Sequence, residues 1–172
     1  HKGAQTSSEF FPNGRNSAVW GEGTIARGLL KTDDAYFHGI EGGQWVNALP
    51  VRPGKFEINE KTVERGRERF NIFCTPCHGY SGYGNGSVHQ RADQLGAAKW
   101  VQPSSLHQDY IVRQPHGQLY NTISNGIRNM KGYGAQIPEA DRWALVLYLR
   151  ALQRSLAPQA GERPPNMQRN VR

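Results

Sequence analysis

The run Cys74-Thr75-Pro76-Cys77-His78 constrains this chain more than any other stretch, because both of its cysteines lie there. Two thiols separated by two residues and followed at once by an imidazole are spaced to bond the two vinyl groups of a haem as thioethers while the histidine reaches the iron. With two Cys and six His in 172 positions, such a string arises by accident in about one chain in a thousand. Two other chemistries use a Cys-x-x-Cys spacing. A thioredoxin-like redox pair opens a helix after a strand, whereas these cysteines follow a helical pattern and precede a glycine-rich stretch. A zinc site needs further thiol or imidazole ligands at close spacing, and beyond His78 none stands near. The motif therefore implies one covalent haem c, held by Cys74 and Cys77 with His78 on the iron.

A six-coordinate haem needs a second axial ligand, chiefly Met or His. Of the two methionines, Met130 lies in the glycine-rich stretch Gly126 to Gly134 between two expected helices, and Met167 lies in the tail. A glycine-rich loop is a poor place to build a core and a good one for aiming a thioether, so Met130 is the expected ligand. His89, His107 and His116 are the rivals. Arg91, Lys99 and Trp100, between the cysteine motif and Pro103, are expected near the haem propionates.

The rest of the chain has to hold that group. A helix is expected from about Glu60 to Phe73, with Asn59 as its N-cap and Val63, Gly66, Phe70 and Phe73 on one face. A second runs through Gln118, Leu119, Thr122 and Ile123 to a stop at Asn125-Gly126. A third begins after Pro138 with Glu139 and Asp141 and carries Trp143, Val146, Leu147 and Arg150. Residues 1 to 58 are rich in glycine and polar residues, with no sustained period. They read as an extended arm whose Phe10, Phe11, Trp20, Tyr36, Phe37 and Trp45 need covering by the core or by another protein. The expected division is an arm over 1–58, a haem domain over 59–157 and an extended tail over 158–172.

The longest apolar run, Trp143 to Leu149, is far below the roughly 20 residues that span a bilayer as a helix. The sequence starts at His1 rather than Met, which is expected of a chain that has lost an export signal, with or without a lipid anchor. A net charge of +7 favours anionic partners. The basic residues are scattered without an aromatic stacking platform, which points to a docking surface or solvated face rather than to nucleic acid.

Helix, Cys-x-x-Cys-His, glycine-rich loop, Gly126-x-x-x-Met130 and a last helix together resemble a class I cytochrome c domain over about Asn59 to Leu156. The resemblance implies a mainly α fold in which the first and last helices cross, with Gly66 and Phe70 meeting Leu145 to Leu149 and Tyr148. It also implies that the carbonyl of Pro103 accepts the Nδ1 proton of His78. More narrowly, Gly23 to Gly28, Asp34 to Gly39, Arg65 to Cys74 and Gln136 to Gln153 resemble the monohaem cytochrome subunit of bacterial alternative complex III. That family implies electron transfer, not catalysis by the chain itself, on the periplasmic side of the inner membrane. It also implies other subunits of a quinol-oxidising membrane complex as partners, and a downstream acceptor protein. A free-standing periplasmic shuttle and a haem enzyme or gas sensor are the alternatives.

Overall fold

The computed structural model describes residues 23–25 and 30–156. Phe10, Phe11, Trp20, Met167 and the tail from 157 onward lie outside them. The chain divides at Thr32, and the compact unit that holds every element named below starts at Asp33.

The first long helix forms where the sequence says it should. Asn59 is extended and its side chain accepts the Thr62 backbone N–H at 2.9 Å, which starts α2 at Glu60 and carries it to Phe73. The last helix, α7, runs from Glu139 to Leu156 with Glu139 and Asp141 in its first turn and Arg154 in its last, each complementing the helix dipole. These two pack together with Gly66 at the contact: a Cβ there would collide with the Ala144 carbonyl and the Tyr148 side chain. Only glycine allows that approach. One turn on, Phe70 is 2% exposed and its ring lies 5.4 Å from that of Tyr148. Burying such a ring stabilises the fold by about 2 to 3 kcal/mol. At the open end of the contact Arg65 forks onto Asp141, with bonds of 2.9 and 2.8 Å.

Between them the chain makes three short helices, α3 (Thr75–His78), α4 (Ser87–Gln94) and α5 (Asp109–Val112), and then α6 (His116–Asn125). Gly126, at φ 84°, ends α6 and opens a small antiparallel hairpin, β3 (Gly126–Ile127) and β4 (Met130–Lys131). The stretch expected as a glycine-rich loop is thus a two-stranded turn. It is tied back to α6 by the Tyr133 N–H on the Ile123 carbonyl (2.8 Å) and the Gly134 N–H on the Ser124 carbonyl (3.0 Å).

The clearest departure from the sequence expectation is the arm. From Asp33 onward it is part of the core. Asp33 caps the short helix α1 (Asp34–Phe37), accepting the Tyr36 N–H at 3.1 Å, and also takes a guanidinium N–H from Arg52 at 2.8 Å. A hairpin of β1 (Ile40–Glu41) and β2 (Gln44–Trp45) follows. Its end is bonded to α6, with the Gly117 N–H on the Val46 carbonyl at 2.9 Å, and Gly39 and Gly117 meet backbone to backbone with no room for a side chain. Tyr36 (4% exposed) and Phe56 (3%) join Tyr120, Trp143, Val146 and Leu149 in one buried cluster, with Phe37, Val46 and Leu49 against it. Trp143 is fully buried, stacked on Tyr120 at 4.2 Å, and its indole N–H donates to the Tyr36 carbonyl at 2.7 Å. The domain boundary expected at 58/59 is therefore corrected for residues 33–58. Their order comes from non-local packing, which leaves no local period to read.

Candidate functional site

Cys74 ends α2, its N–H still bonded to the Phe70 carbonyl at 2.9 Å, and Pro76 sits in the first turn of α3 where a missing N–H costs nothing. The N–H groups of Cys77 and His78 both return to the Cys74 carbonyl, at 3.1 and 2.8 Å. Residues three and four apart in such a turn share a face. Both thiols and the imidazole are thereby presented on one side of a single turn. The cysteines are free thiols. Burial, and then the neighbouring Cys77, push the Cys74 thiol up to about 12. A redox-active nucleophile needs a thiol depressed below its ordinary value, and Cys74 is shifted the other way. Among the described residues no group of three or more His, Cys, Asp and Glu side chains gathers as a metal site.

His78 is half-buried, and desolvation pushes its pKa below the ordinary imidazole value, opposed by the backbone at Ser104. Neutral imidazole is the form that ligates iron. Its Nδ1 is buried without a hydrogen bond of good geometry, so the Ser104 backbone bears on it only weakly. No hydrogen bond joins His78 Nδ1 to the expected acceptor, the Pro103 carbonyl, which lies where a side chain on Gly84 would be.

The glycines after the motif explain how it is framed. Gly84 and Gly86 donate their N–H groups to the carbonyls of His78 (2.8 Å) and Cys77 (3.1 Å), folding the loop back over the turn, and Leu106 donates to Gly82 at 2.8 Å. Side chains at Gly84 and Gly86 would strike the carbonyls of Pro103 and Pro76. Beside the turn, Phe73, Cys74, Leu106, Ile123 and Tyr133 pack on the buried Phe70, Ile137 and Leu145. The sequence reading missed Tyr133. Its ring contacts Phe73 with centroids 6.0 Å apart, and burial, with both cysteines nearby, raises its pKa. The available signal was its place in Gly132-Tyr133-Gly134, an aromatic isolated between glycines. Met130, half-buried on β4, is three residues from this anchor.

Other expected residues are placed as follows. Arg91 is exposed on α4, a helix with no buried residue, as is Lys99 beyond it. Trp100 is 37% exposed and gives its indole N–H to His89 Nδ1 at 3.1 Å. His107 Nε2 lies 2.6 Å from the Ser81 carbonyl oxygen, and His116 lines a separate cleft. Each rival histidine thus has another setting.

The residues fit a haem c: two half-buried cysteines and a neutral imidazole on one face of one turn, an orphaned imidazole nitrogen, a glycine-rich frame and an apolar aromatic wall. Fold and site together define a cytochrome c domain, whose work is haem-based electron transfer. The model of the family described as cytochrome c oxidase, cbb3-type, subunit III matches residues 61–149, just over half of the chain, and the chain belongs to that family. No curated protein matches it. Among solved structures it is similar to a chain of the reducing HAO-like protein complex of Kuenenia stuttgartiensis, at 21% identity and a TM-score of 0.44. That likeness covers 69% of this chain and 54% of the other.

Proposed function

We propose that the chain carries one haem c through Cys74 and Cys77, with His78 and Met130 as axial ligands. It passes single electrons as a subunit of a quinol-oxidising membrane complex of the alternative complex III type, on the periplasmic side of the bacterial inner membrane. The observation that carries the electron-transfer reading is the single turn that presents Cys74, Cys77 and a neutral, half-buried His78 together. When bound, the haem supplies a one-electron ferric–ferrous couple. The chain's residues do the rest. The two cysteines hold the group covalently, His78 supplies a basic nitrogen, and Phe73, Tyr133 and Leu106 keep water from that side. A Met130 thioether favours the reduced state relative to a second imidazole.

The resemblance to alternative complex III supports membership of a complex, as does a family description that names an oxidase subunit. The packing of residues 33–58 into the core favours the second reading, a free-standing shuttle, because the core rather than another protein covers Tyr36 and Phe37. Haem retained on a denaturing gel, and lost or reduced by Cys74→Ser or Cys77→Ser, is the expected result for attachment. Loss of all haem from the unaltered protein in acid acetone overturns it. For the ligand, Met130→Ala should erase the weak Met-to-iron absorption band and lower the potential, and persistence of the band sinks the assignment. Purification from native membranes separates the readings: co-purifying subunits support the complex, and a monodisperse cytochrome supports the shuttle.

A further inference from the structure

Away from the cysteine turn, the start of α6 and the end of α7 enclose an open cleft of about 410 Å³ lined by Asn47, Gln114, His116, Arg150 and Arg154 among others, none of them acidic. Arg150 is half-buried, and burial lowers its pKa with no carboxylate to offset the loss of solvent. It donates to the Val112 carbonyl (2.9 Å), to Gln153 Oε1 (2.8 Å) and to the Gln114 carbonyl. All three acceptors are neutral, and two of its five N–H groups donate to no described residue. Arg154, one turn further along α7, is exposed and has no hydrogen bond or ion pair among the described residues. Elsewhere Arg52, Arg65, Arg67, Arg69, Arg113 and Arg142 each meet a carboxylate, whereas Arg91 and Arg128, like Arg150 and Arg154, meet none among the described residues, and only the last two lie together in one cleft.

Two like charges at i and i+4 repel, and the pair borders a helix start with no acidic residue in its first turn and no side-chain cap. The imidazole of His116 is held below its ordinary pKa by burial and then by Arg150, so it adds a neutral polar edge rather than a third charge. We propose that this cleft is an oxyanion-binding site, taking a phosphate or carboxylate group between Arg150 and Arg154. Guanidinium N–H groups match either oxyanion. The volume is of the size that holds small molecules, so the oxyanion can belong to a larger molecule such as a lipid headgroup.

The test uses the full-length, haem-loaded protein titrated with inorganic phosphate at constant ionic strength against chloride, followed by calorimetry and by the NMR signals of the His116 ring. Saturable binding that shifts His116 is expected, about tenfold weaker in Arg154→Gln, with the haem spectrum unchanged. Arg67→Gln, which removes the same charge elsewhere, should leave it intact. Arg150→Gln should weaken it further, and if that variant fails to fold, Arg154→Gln decides alone. Flotation with phosphatidylglycerol and phosphatidylcholine vesicles separates the sources. Preference for phosphatidylglycerol that Arg154→Gln abolishes identifies a headgroup, and phosphate binding without such preference identifies a free anion. The proposal is overturned if phosphate binds no better than chloride and vesicle binding ignores Arg154.

Discussion

Asp33 to Ile58 and Ser87 to Val101 both carry scattered apolar and aromatic side chains among polar ones, and the fold treats them in opposite ways. The first seals the core, with Tyr36 and Phe56 at 4% and 3% exposure. The second leaves Val88, Leu95, Trp100 and Val101 at 41%, 64%, 37% and 65%, and its helix α4 buries nothing. Apolar content does not separate them. What separates them is a complementary surface: Trp143 and Tyr120 offer a flat aromatic pair with an indole N–H that needs an acceptor. The Tyr36 carbonyl is that acceptor. No equivalent polar anchor ties the second stretch to the core, where Trp100 bonds only to His89 within its own neighbourhood.

Four measurements break or sharpen that contrast. The largest effect is expected from a chain that begins at Asn59. It exposes Trp143 and Tyr120 and leaves the indole N–H without its partner, so thermal melting followed at the haem band should lose its cooperative transition. A truncated protein that melts like the full chain returns residues 33–58 to the status of an arm. Next, Phe56→Ala removes a buried ring packed 6.4 Å from Trp143 and should cost about 3 to 5 kcal/mol in urea unfolding. A value under about 1 kcal/mol would mean that the segment lies on the core without being part of it.

The third measurement concerns the Asp33–Arg52 pair that closes the segment. The Arg52 guanidinium holds the Asp33 carboxyl below its ordinary value of 3.8, against the opposing effect of burial and with help from the Tyr36 N–H. A depressed carboxylate pKa means stability that is present above the ordinary value and is lost as pH falls through the folded one. Both side chains are about a third exposed, so solvent limits the gain to about 1 kcal/mol or less. Asp33→Asn should therefore lower stability slightly at neutral pH and flatten the acid limb of the stability curve. An unchanged acid limb would assign that limb to other carboxylates. Smallest of all, Leu95→Ser and Val101→Ser should change stability by about 0.5 kcal/mol or less. A larger loss would show that the second stretch is covered in solution.

The helices and the attachment turn were legible because their signals are local. Asn59 before an amphipathic run, Pro138 with Glu139 and Asp141, and Gly126 at a positive φ each act within one turn of the chain. The placing of Gly66 and Phe70 against Tyr148 came from the resemblance to class I cytochromes c, and the close approach at Gly66 agrees with it. The segment from Asp33 was not legible: Gly39 and the buried aromatics find their partners on α6 and α7, some 80 to 110 residues away. Tyr133 escaped for the same reason, as its neighbours Phe73, Cys74 and Cys77 lie nearly 60 residues back.

By itself, then, the sequence determined the chemistry. Two cysteines and a histidine within five residues can present their sulfur and nitrogen atoms on one turn with no help from the rest of the chain. Tertiary structure alone decided which surroundings that turn receives. The loop after the motif folds back over the turn through the Gly84 and Gly86 N–H groups, and His78 Nδ1 is buried there with no hydrogen-bond partner among the described residues. Residues 33–58 belong to the core because only the assembled pair of α6 and α7 exposes the Trp143 and Tyr120 surface that they cover. Close packing and buried hydrogen bonds depend on both partners being in place at once, and no local pattern in either partner specifies the other.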